Sequence, residues 1–200
     1  ALQHNVIDVT VTDDTDSAVF PRGKQANYPS GIWYTPTSGI WQSVWLESVP
    51  NDGYLESLEL YPDFDEQKLT IKAVFEGIKQ LSEVECYFRG QLVAKSSFDQ
   101  DGVAKLDFKY DFYPWSPDSP SLYSLLITSG DDLVHSYFAF RKIGILKKGK
   151  FHYVTLNGKP LFLSGLLDQG YWPESGLTPP SDAAMVSDIS FAKKAGFNFL

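Results

Sequence analysis

One loop near the end of the chain combines hydrogen-bonding side chains with flat aromatic rings. It runs over Leu166–Glu174 and carries Asp168, Gln169, Tyr171 and Trp172. Carboxylate and amide groups can hydrogen-bond sugar hydroxyls, and aromatic rings can lie against the apolar face of a sugar ring. The same residues would also suit a structural loop in which Trp172 only fills a gap at the rim of a sheet. The elements that hold this loop therefore decide how it is interpreted.

The segments on either side of the loop predict a β-loop-α-β unit. Leu161–Gly165 is a continuous apolar run, typical of a strand buried on both faces. Ser181 can cap a helix over Asp182–Ala195 that ends at Gly196, and Phe197–Leu200 begins another apolar strand. Barrels of eight such units place their active sites in the loops that follow their strands. The pattern predicts the first unit of a barrel, with the polar and aromatic loop at the active-site end.

A tight turn is predicted just before this unit. Asn157-Gly158 lies between two apolar runs, and it favours a type I′ hairpin because both residues readily adopt positive φ. The basic run Lys147–Lys150 lies upstream of the turn. Short runs of like charge are usually solvated, so this run is predicted to be a connector rather than a binding site.

Between Asp52 and Phe140, short segments alternate apolar and polar residues, and no helical period occurs. The predicted strands lie within 69–75, 84–88, 92–94, 104–112, 122–128 and 133–140. This spacing predicts an immunoglobulin-like antiparallel β-sandwich. Its predicted core contains Leu69, Ile71, Val84, Cys86, Leu106 and Phe108.

Two more strands are predicted ahead of the sandwich. Val6–Val11 has apolar residues at Val6, Val9 and Val11 with Thr-rich neighbours, and Gly39–Glu47 places Trp41 and Trp45 on one face. Pro21–Pro36, between them, is rich in Pro, Gly, Tyr and Trp and is predicted to be a long loop.

Composition excludes several classes of function. The net charge of -8, with 25 acidic and 17 basic residues, argues against a nucleic-acid partner. Cys86 is the single cysteine and the three histidines lack ligand spacing, so neither a disulfide nor a metal site is expected. No apolar run is long enough to span a membrane, so no membrane partner is expected.

Four motifs occur in an order that resembles family 2 glycoside hydrolases, the β-galactosidase, β-glucuronidase and β-mannosidase type. Ser38–Glu47 (SGIWQSVWLE) resembles the strand that closes their sugar-binding domain, and Pro114–Tyr123 (PWSPDSPSLY) resembles their W-S-P-x-x-P-x-L-Y segment. Phe138–Ile143 (FAFRKI) is similar to the exit from their immunoglobulin-like domain, and Leu156–Gly165 (LNGKPLFLSG) to the start of their barrel. The resemblance covers essentially the whole chain.

The resemblance implies a mainly β chain with three segments. Residues 1–50 would be the last strands of a jelly-roll sugar-binding domain, and residues 51–143 the immunoglobulin-like sandwich. Residues 144–200 would be the first β/α unit of a truncated TIM barrel. The chain would then be an internal, non-catalytic portion of a retaining β-glycosidase, because the family's two catalytic glutamates lie on later barrel strands. The parent enzyme would act on a glycoside substrate, with no cofactor.

The resemblance also implies which residues lie near a substrate. The loop after the first barrel strand would contribute Asp168, Gln169, Tyr171 and Trp172. Trp33 and Tyr34 would be a second pair, because their loop reaches toward the sugar pocket in the family. Many members carry Asn, a basic residue and His after the strand's Gly, where this chain has Leu167, Asp168 and Gln169. The particular sugar therefore cannot be transferred from those members.

A stand-alone β-sandwich module, binding carbohydrate or mediating adhesion without hydrolysis, is the alternative. It would explain the strands and aromatic residues but not the predicted β-loop-α-β unit. Under the first hypothesis, exposed apolar surface at the barrel start could support a homo-oligomer. The protein is expected to be soluble, and a parent N-terminus that could carry a signal peptide is expected to precede this chain. The compartment is left open.

Overall fold

The structure, a computed structural model, describes residues 6–17, 19, 21–77 and 82–200. The strands and the helix found there are β1 Gly53–Asp63, β2 Lys68–Gly77, β3 Ser82–Phe88, β4 Gln91–Ser97, β5 Val103–Asp107, β6 Tyr123–Ser129, β7 Asp132–Phe138, β8 Ile143–Lys148, β9 Phe151–Leu156, β10 Lys159–Pro160 and α1 Asp182–Lys194. The chain divides into two compact units. We call Glu47–Phe162 the sandwich unit, and residues up to Leu46 together with Leu163–Leu200 the loop unit. The segments 1–50, 51–143 and 144–200 stay a prediction.

Seven strands of the sandwich unit form two antiparallel sheets. β2 lies between β1 and β5 in one sheet, and the other has the order β4-β3-β6-β7. Leu69 of β2 is opposite Leu106 of β5, and Val84 of β3 is opposite Ile127 of β6. Because side chains alternate between the two faces of a strand, each sheet turns one apolar row toward the other. The unit is a mainly β, antiparallel sandwich.

The core lies between these sheets and contains the six residues predicted from alternation. Leu69, Ile71, Val84, Cys86, Leu106 and Phe108 are all at most 3% exposed. Phe108 is surrounded by rings, with centroid distances of 5.2 Å to Tyr123 and 5.1 Å to Phe140. Burial in apolar surroundings raises the pKa of the Cys86 thiol to about 12, so this side chain behaves as a small apolar group. The prediction of the sandwich core is confirmed.

Tyr123 joins the core to the chain ahead of β6. Its hydroxyl donates to the carbonyl oxygen of Asp111 at 2.6 Å and accepts from the backbone N–H of Tyr113 at 2.7 Å. These two bonds hold the chain that precedes β6 against the core. Burial raises the pKa of Tyr123 to about 12, because the charged form would lose its hydration.

The strand predicted over residues 104–112 is shorter than its alternation suggested. β5 ends at Asp107, whose carboxylate accepts from the N–H of Lys109 at 3.1 Å. The N–H of Asp111 then donates to the carbonyl oxygen of Phe108 at 3.0 Å, so the chain turns instead of continuing the ladder. Asp side chains commonly bond to nearby backbone N–H groups, and the bond from Lys109 to Asp107 here competes with the strand ladder.

β8, β9 and β10 form a small antiparallel sheet at the end of the sandwich unit. Asn157 and Gly158 join β9 to β10 with φ of 52° and 77°, which confirms the predicted type I′ geometry. The amide of Asn157 donates to the carbonyl oxygen of Trp115 at 2.9 Å and accepts from the N–H of Lys142 at 2.9 Å. The basic run predicted to be a connector contains the turn between β8 and β9.

In the loop unit, α1 begins at the predicted residue and ends at Lys194, one residue before the predicted end. The hydroxyl of Ser181 accepts from the N–H of Ala184 at 3.2 Å, and Gly196 follows the helix with φ 92°. On α1, the side chain of Ala192 is buried whereas those of Met185 and Ile189 are exposed.

The strands predicted on either side of α1 are reduced to an isolated parallel bridge between Gly165 and Phe199. The N–H of Asn198 donates to the carbonyl oxygen of Ser164 at 2.9 Å, and the N–H of Leu166 donates to the carbonyl oxygen of Phe199 at 3.1 Å. Leu161–Gly165 and Phe197–Leu200 were therefore wrongly predicted as full strands. A strand buried on both faces requires neighbouring strands, and the described residues supply no others here.

The two strands predicted at the N-terminal end are also wrong for the described residues. Val6–Val11 and Gly39–Glu47 join no β-ladder, and side chains such as Val44 and Leu46 are exposed. Alternation makes a segment suitable for a sheet, but a strand forms only when another backbone pairs with it. No described segment does so here.

Candidate functional site

A first loop of the loop unit is held by a short-range network of backbone bonds. The N–H of Tyr34 donates to the carbonyl oxygen of Lys24 at 2.7 Å, and that of Ala26 to Tyr34 at 3.2 Å. The side-chain oxygen of Gln25 accepts from the N–H of Thr37 at 2.7 Å. These bonds fix the segment 34–38 in place although it contains no regular strand.

A second loop, after the predicted first barrel strand, is closed by a two-residue bridge. The N–H of Trp172 donates to the carbonyl oxygen of Gly176 at 2.8 Å, and that of Gly176 to Trp172 at 3.0 Å. The Ser175 hydroxyl donates to the carbonyl oxygen of Thr178. Pro173, Glu174 and Ser175 are thus held between two paired residues.

The two loops meet through one ring stack and one close approach. The rings of Tyr34 and Tyr171 are parallel, with centroids 4.0 Å apart and planes 1° apart. Gly176 has φ 67°, and a Cβ placed on it would be 2.2 Å from the Thr37 Oγ1 atom. Glycine is required there by both backbone conformation and space.

Between the loops lies a cleft of about 540 Å³. Its rings come from Tyr34, Tyr171 and Trp172, and its hydroxyl groups from Thr35, Thr37, Ser38 and Ser175. Glu174 contributes the one carboxylate of the described lining, which contains no Lys, Arg or His. Apolar rings beside hydroxyl and carboxylate acceptors suit a neutral, hydroxyl-rich ligand.

A second carboxylate, the exposed Asp13, is hydrogen-bonded to the cleft residue Ser38. The Ser38 hydroxyl donates to Asp13 at 2.6 Å, and the N–H of Thr15 donates to Asp13 at 2.7 Å. These bonds, the Ser38 one first, lower the pKa of the Asp13 carboxyl because they favour its charged form. The wall near Ser38 therefore carries negative charge at neutral pH.

The structure brings three of the six predicted substrate residues to this cleft, namely Tyr34, Tyr171 and Trp172. The other three do not line it. Trp33 lies under the Arg22 guanidinium at 4.9 Å, and Arg22 pairs with Asp16 at 3.4 Å. Asp168 accepts from the N–H of Gly170 at 2.8 Å, and Gln169 is half-buried.

Sequence reasoning missed the hydroxyl wall and Glu174. Thr35, Thr37 and Ser38 follow the predicted pair Trp33 and Tyr34 directly. Their position was a usable signal, because a loop that brings one ring to a site brings its neighbours too. The close approach of Thr37 and Gly176 could not be predicted in this way, because the two residues are far apart in the sequence.

Tyr34 and Tyr171 stack on each other, so each ring has at most one face left for a ligand. A ligand that binds to Tyr34 or Tyr171 must therefore use the outward faces or the ring edges, and Trp172 is the third ring available. A sugar therefore has fewer ring faces to stack on than three separate rings would offer.

Two carboxylates of the sandwich unit pair with the same lysine. Lys95 pairs with Glu83 at 2.8 Å and with Glu85 at 3.3 Å. The Tyr87 hydroxyl and then Lys95 lower the pKa of Glu85, which stays charged at neutral pH. Among the described residues, no His, Cys, Asp and Glu side chains group to hold a metal ion. No helix in the described ranges is long and apolar enough to cross a membrane.

Comparison with known proteins identifies the fold but not a family. No family model matches this chain, and no curated protein matches its sequence. A solved β-glucuronidase from an uncultured Clostridium sp. has a TM-score of 0.61 and 23% identity over 74% of this chain and 25% of its own.

The solved β-glucuronidase of Ruminococcus gnavus is also similar. Its complex with uronic isofagomine has a TM-score of 0.59 and 18% identity over 74% of this chain and 24% of its own. Its complex with D-glucuronic acid has a TM-score of 0.59 at the same identity, covering 26% of that chain. This chain thus spans about a quarter of the length of these enzymes and shares the fold of that portion.

Proposed function

We propose that this chain is a non-catalytic portion of a retaining family 2 β-glycosidase, whose cleft in the loop unit borders the sugar-binding site. In this proposal the sandwich unit contains the immunoglobulin-like domain. The segments before it belong to a jelly-roll domain, and α1 with its flanking segments to the first β/α unit of a TIM barrel.

The extent of the structural similarity is the observation that carries the proposal. Glu47–Phe162 makes up 116 of the 200 residues, or 58%, whereas the β-glucuronidase match covers 74% of the chain. The match must therefore extend beyond the sandwich unit into the loop unit. A β-sandwich that merely resembled a common domain would not extend in this way.

The parallel contact between Gly165 and Phe199 supports the barrel part of the proposal. These residues lie on either side of α1, and right-handed β-α-β crossovers are what joins parallel strands. In the parent enzyme, further strands would pair with these segments. The strand patterns of Leu161–Gly165 and Phe197–Leu200 would then have the neighbours that they require.

The proposal assigns this chain a role in binding rather than in bond cleavage. Retaining glycosidases use two carboxyl groups about 5–5.5 Å apart, one as nucleophile and one as acid and base. The described lining of the cleft holds Glu174 alone, so the pair would come from later barrel strands. Tyr34, Tyr171 and Trp172 would contact the sugar, and Trp33, Asp168 and Gln169 would stand farther out on the same loops.

The alternative is a stand-alone carbohydrate-binding or adhesion module. It accounts for the sandwich unit and for the aromatic cleft. It offers no reason for a capped helix with a parallel bridge across it, or for a match that reaches beyond the sandwich. The glycosidase proposal accounts for all of these features.

Expression of the intact protein encoded by the gene of this chain tests the proposal. We expect it to hydrolyse at least one 4-nitrophenyl β-D-glycoside with retention of anomeric configuration, measured by NMR. The 200-residue chain alone should show no turnover above a matched blank, because binding contacts cannot replace a nucleophile and an acid.

Two results would contradict the proposal. One is glycan binding by the intact protein without turnover of any β-glycoside, which would favour the module. The other is turnover by the 200-residue chain that is abolished by substituting one of its own carboxylates. Asp188→Asn, an exposed carboxylate on α1 outside the cleft lining, serves as the control for nonspecific loss.

A further inference from the structure

We propose that the cleft selects neutral glycosides over uronides, and that Glu174 is the residue that sets this preference. The inference rests on the proposed function, because it assumes that the cleft borders the sugar site. It goes further by naming the substrate class.

The backbone on both sides of Glu174 is fixed before any ligand arrives. Trp172 and Gly176 pair through two hydrogen bonds of 2.8 and 3.0 Å. Pro173, which lies between Trp172 and Glu174, has a fixed φ and so restricts the backbone next to Glu174. Gly176 lies close to Thr37, because a Cβ placed on it would be 2.2 Å from the Thr37 Oγ1 atom. A side chain carried by such a short, closed loop projects from a defined position.

The charge of Glu174 is not neutralised within the described residues. It takes part in no ion pair there, and no Lys, Arg or His lines the cleft. Arg22, a cation of the same unit, is already occupied by Asp16 and by the face of Trp33. The Glu174 carboxylate is therefore free to accept hydrogen bonds from a ligand.

On the opposite wall, Ser38 also accepts rather than donates. Its hydroxyl directs its hydrogen toward Asp13 at 2.6 Å, which leaves the oxygen lone pairs for a ligand. A ligand group that lies between Glu174 and Ser38 meets acceptors on both sides and must supply donors. The hydroxyl groups of a neutral sugar are donors, whereas the carboxylate of a uronic acid is an acceptor only.

Charge gives the same result as hydrogen bonding. A carboxylate on the sugar would approach Glu174, and like charges repel. The exposed Asp13 carboxylate, bonded to Ser38, adds charge of the same sign. Carboxylate ligands are usually held by Arg or Lys, often through paired hydrogen bonds. One similar solved structure is a β-glucuronidase in complex with D-glucuronic acid. The described lining of the cleft supplies a carboxylate and no cation for such a ligand.

The test compares substrates and variants in the intact protein. We measure kcat/KM for 4-nitrophenyl β-D-galactoside, β-D-glucoside, β-D-mannoside and β-D-glucuronide, in the parent sequence and in Glu174→Gln. The variant keeps the shape of the side chain and removes its charge. Asp188→Asn, an exposed carboxylate on α1 away from the cleft lining, is the matched control.

We expect the best neutral glycoside to be hydrolysed at least about tenfold more efficiently than the glucuronide, as close like charges predict. Glu174→Gln should shift the ratio of glucuronide to neutral glycoside upward by about tenfold. Asp188→Asn should leave that ratio unchanged. Because the charge is partly exposed, the shift should shrink in high salt.

The possible failures are distinguishable. A preference for the glucuronide, or a ratio that Glu174→Gln does not move, would overturn this inference and leave the glycosidase proposal standing. Absence of turnover with every β-glycoside would overturn the proposed function and this inference with it. A ratio that moves equally in Asp188→Asn would show that general surface charge, and not Glu174, sets the preference.

Discussion

In the sandwich unit, 13 buried residues form one continuous core, and Tyr123, Phe108 and Phe140 are its largest fully buried members. In the loop unit, the buried side chains among the described residues are Thr15, Ala26 and Ala192, all of them small. Its large apolar side chains lie at the surface, as Trp45 and Phe191 do at 73% and 70% exposure. One unit is held by a core, and the other by hydrogen bonds, turns and a ring stack.

This difference indicates that the two units depend on their surroundings to different degrees. Burial of apolar area is the main source of folding free energy, so the sandwich unit supplies its own stability. The loop unit has little such burial, and an isolated helix of 13 residues is only marginally stable in water. We therefore expect the loop unit to gain most of its stability from segments that cover its exposed apolar residues.

The largest test of this difference is Phe108→Ala. Removal of a fully buried ring should cost the sandwich about 3–5 kcal/mol of unfolding free energy, measured by urea denaturation, because a cavity remains among its neighbours. Tyr110→Ala, two positions along and 97% exposed, is the control and should cost under about 0.5 kcal/mol. If the two variants lost similar stability, the assignment of the core would be wrong.

A second test uses pH. Burial raises the pKa of Tyr123 from 10.0 to about 12 and that of Cys86 from 9.0 to about 12. Since the folded pKa values exceed the unfolded ones, this stability is fully present below about pH 9 and is lost as pH rises toward 12. We expect urea midpoints of the sandwich unit to fall over that range.

The variants separate the two groups. Tyr123→Phe should flatten the decline above pH 10.0, and Cys86→Ala the part that begins at pH 9.0. Tyr123→Phe should also lose about 1–3 kcal/mol at neutral pH, because the N–H of Tyr113 and the carbonyl of Asp111 lose their partner. A decline that is unchanged in both variants would mean that other groups cause it.

The smallest expected effect lies in the loop unit, where two glycine substitutions test what holds the two loops of the cleft together. Gly176 and Gly170 have nearly equal φ, 67° and 68°, but a Cβ on Gly176 would clash with Thr37 whereas one on Gly170 meets no atom within 4 Å. Alanine at either position should cost about 1 kcal/mol through φ alone. Gly176→Ala should additionally open the cleft loop.

Hydrogen exchange at the Trp172 amide measures that opening. We expect faster exchange in Gly176→Ala than in Gly170→Ala, while the amides of β2 and β6 exchange as in the parent chain. Equal exchange at Trp172 in the two variants would indicate that Thr37 moves aside, and that the two loops are not held together by this approach.

Features that depend on near neighbours in the chain could be predicted from the sequence. Alternation located Leu69, Ile71, Val84 and Cys86 in the core, because the side-chain period of a strand is local. Asn157-Gly158 predicted its turn, and Ser181 the start of α1, because φ preferences and capping bonds reach only a few residues.

Features that depend on a distant partner were decided by the tertiary structure. Gly39–Glu47 and Leu161–Gly165 have strand patterns, but no described backbone pairs with them to form a ladder. The cleft likewise exists because Thr37 meets Gly176 and Tyr34 stacks on Tyr171 across most of the chain's length. The periodicity of a sequence specifies which face of a segment is apolar. What covers that face is decided by packing, because contact energies between distant segments depend on their arrangement in space.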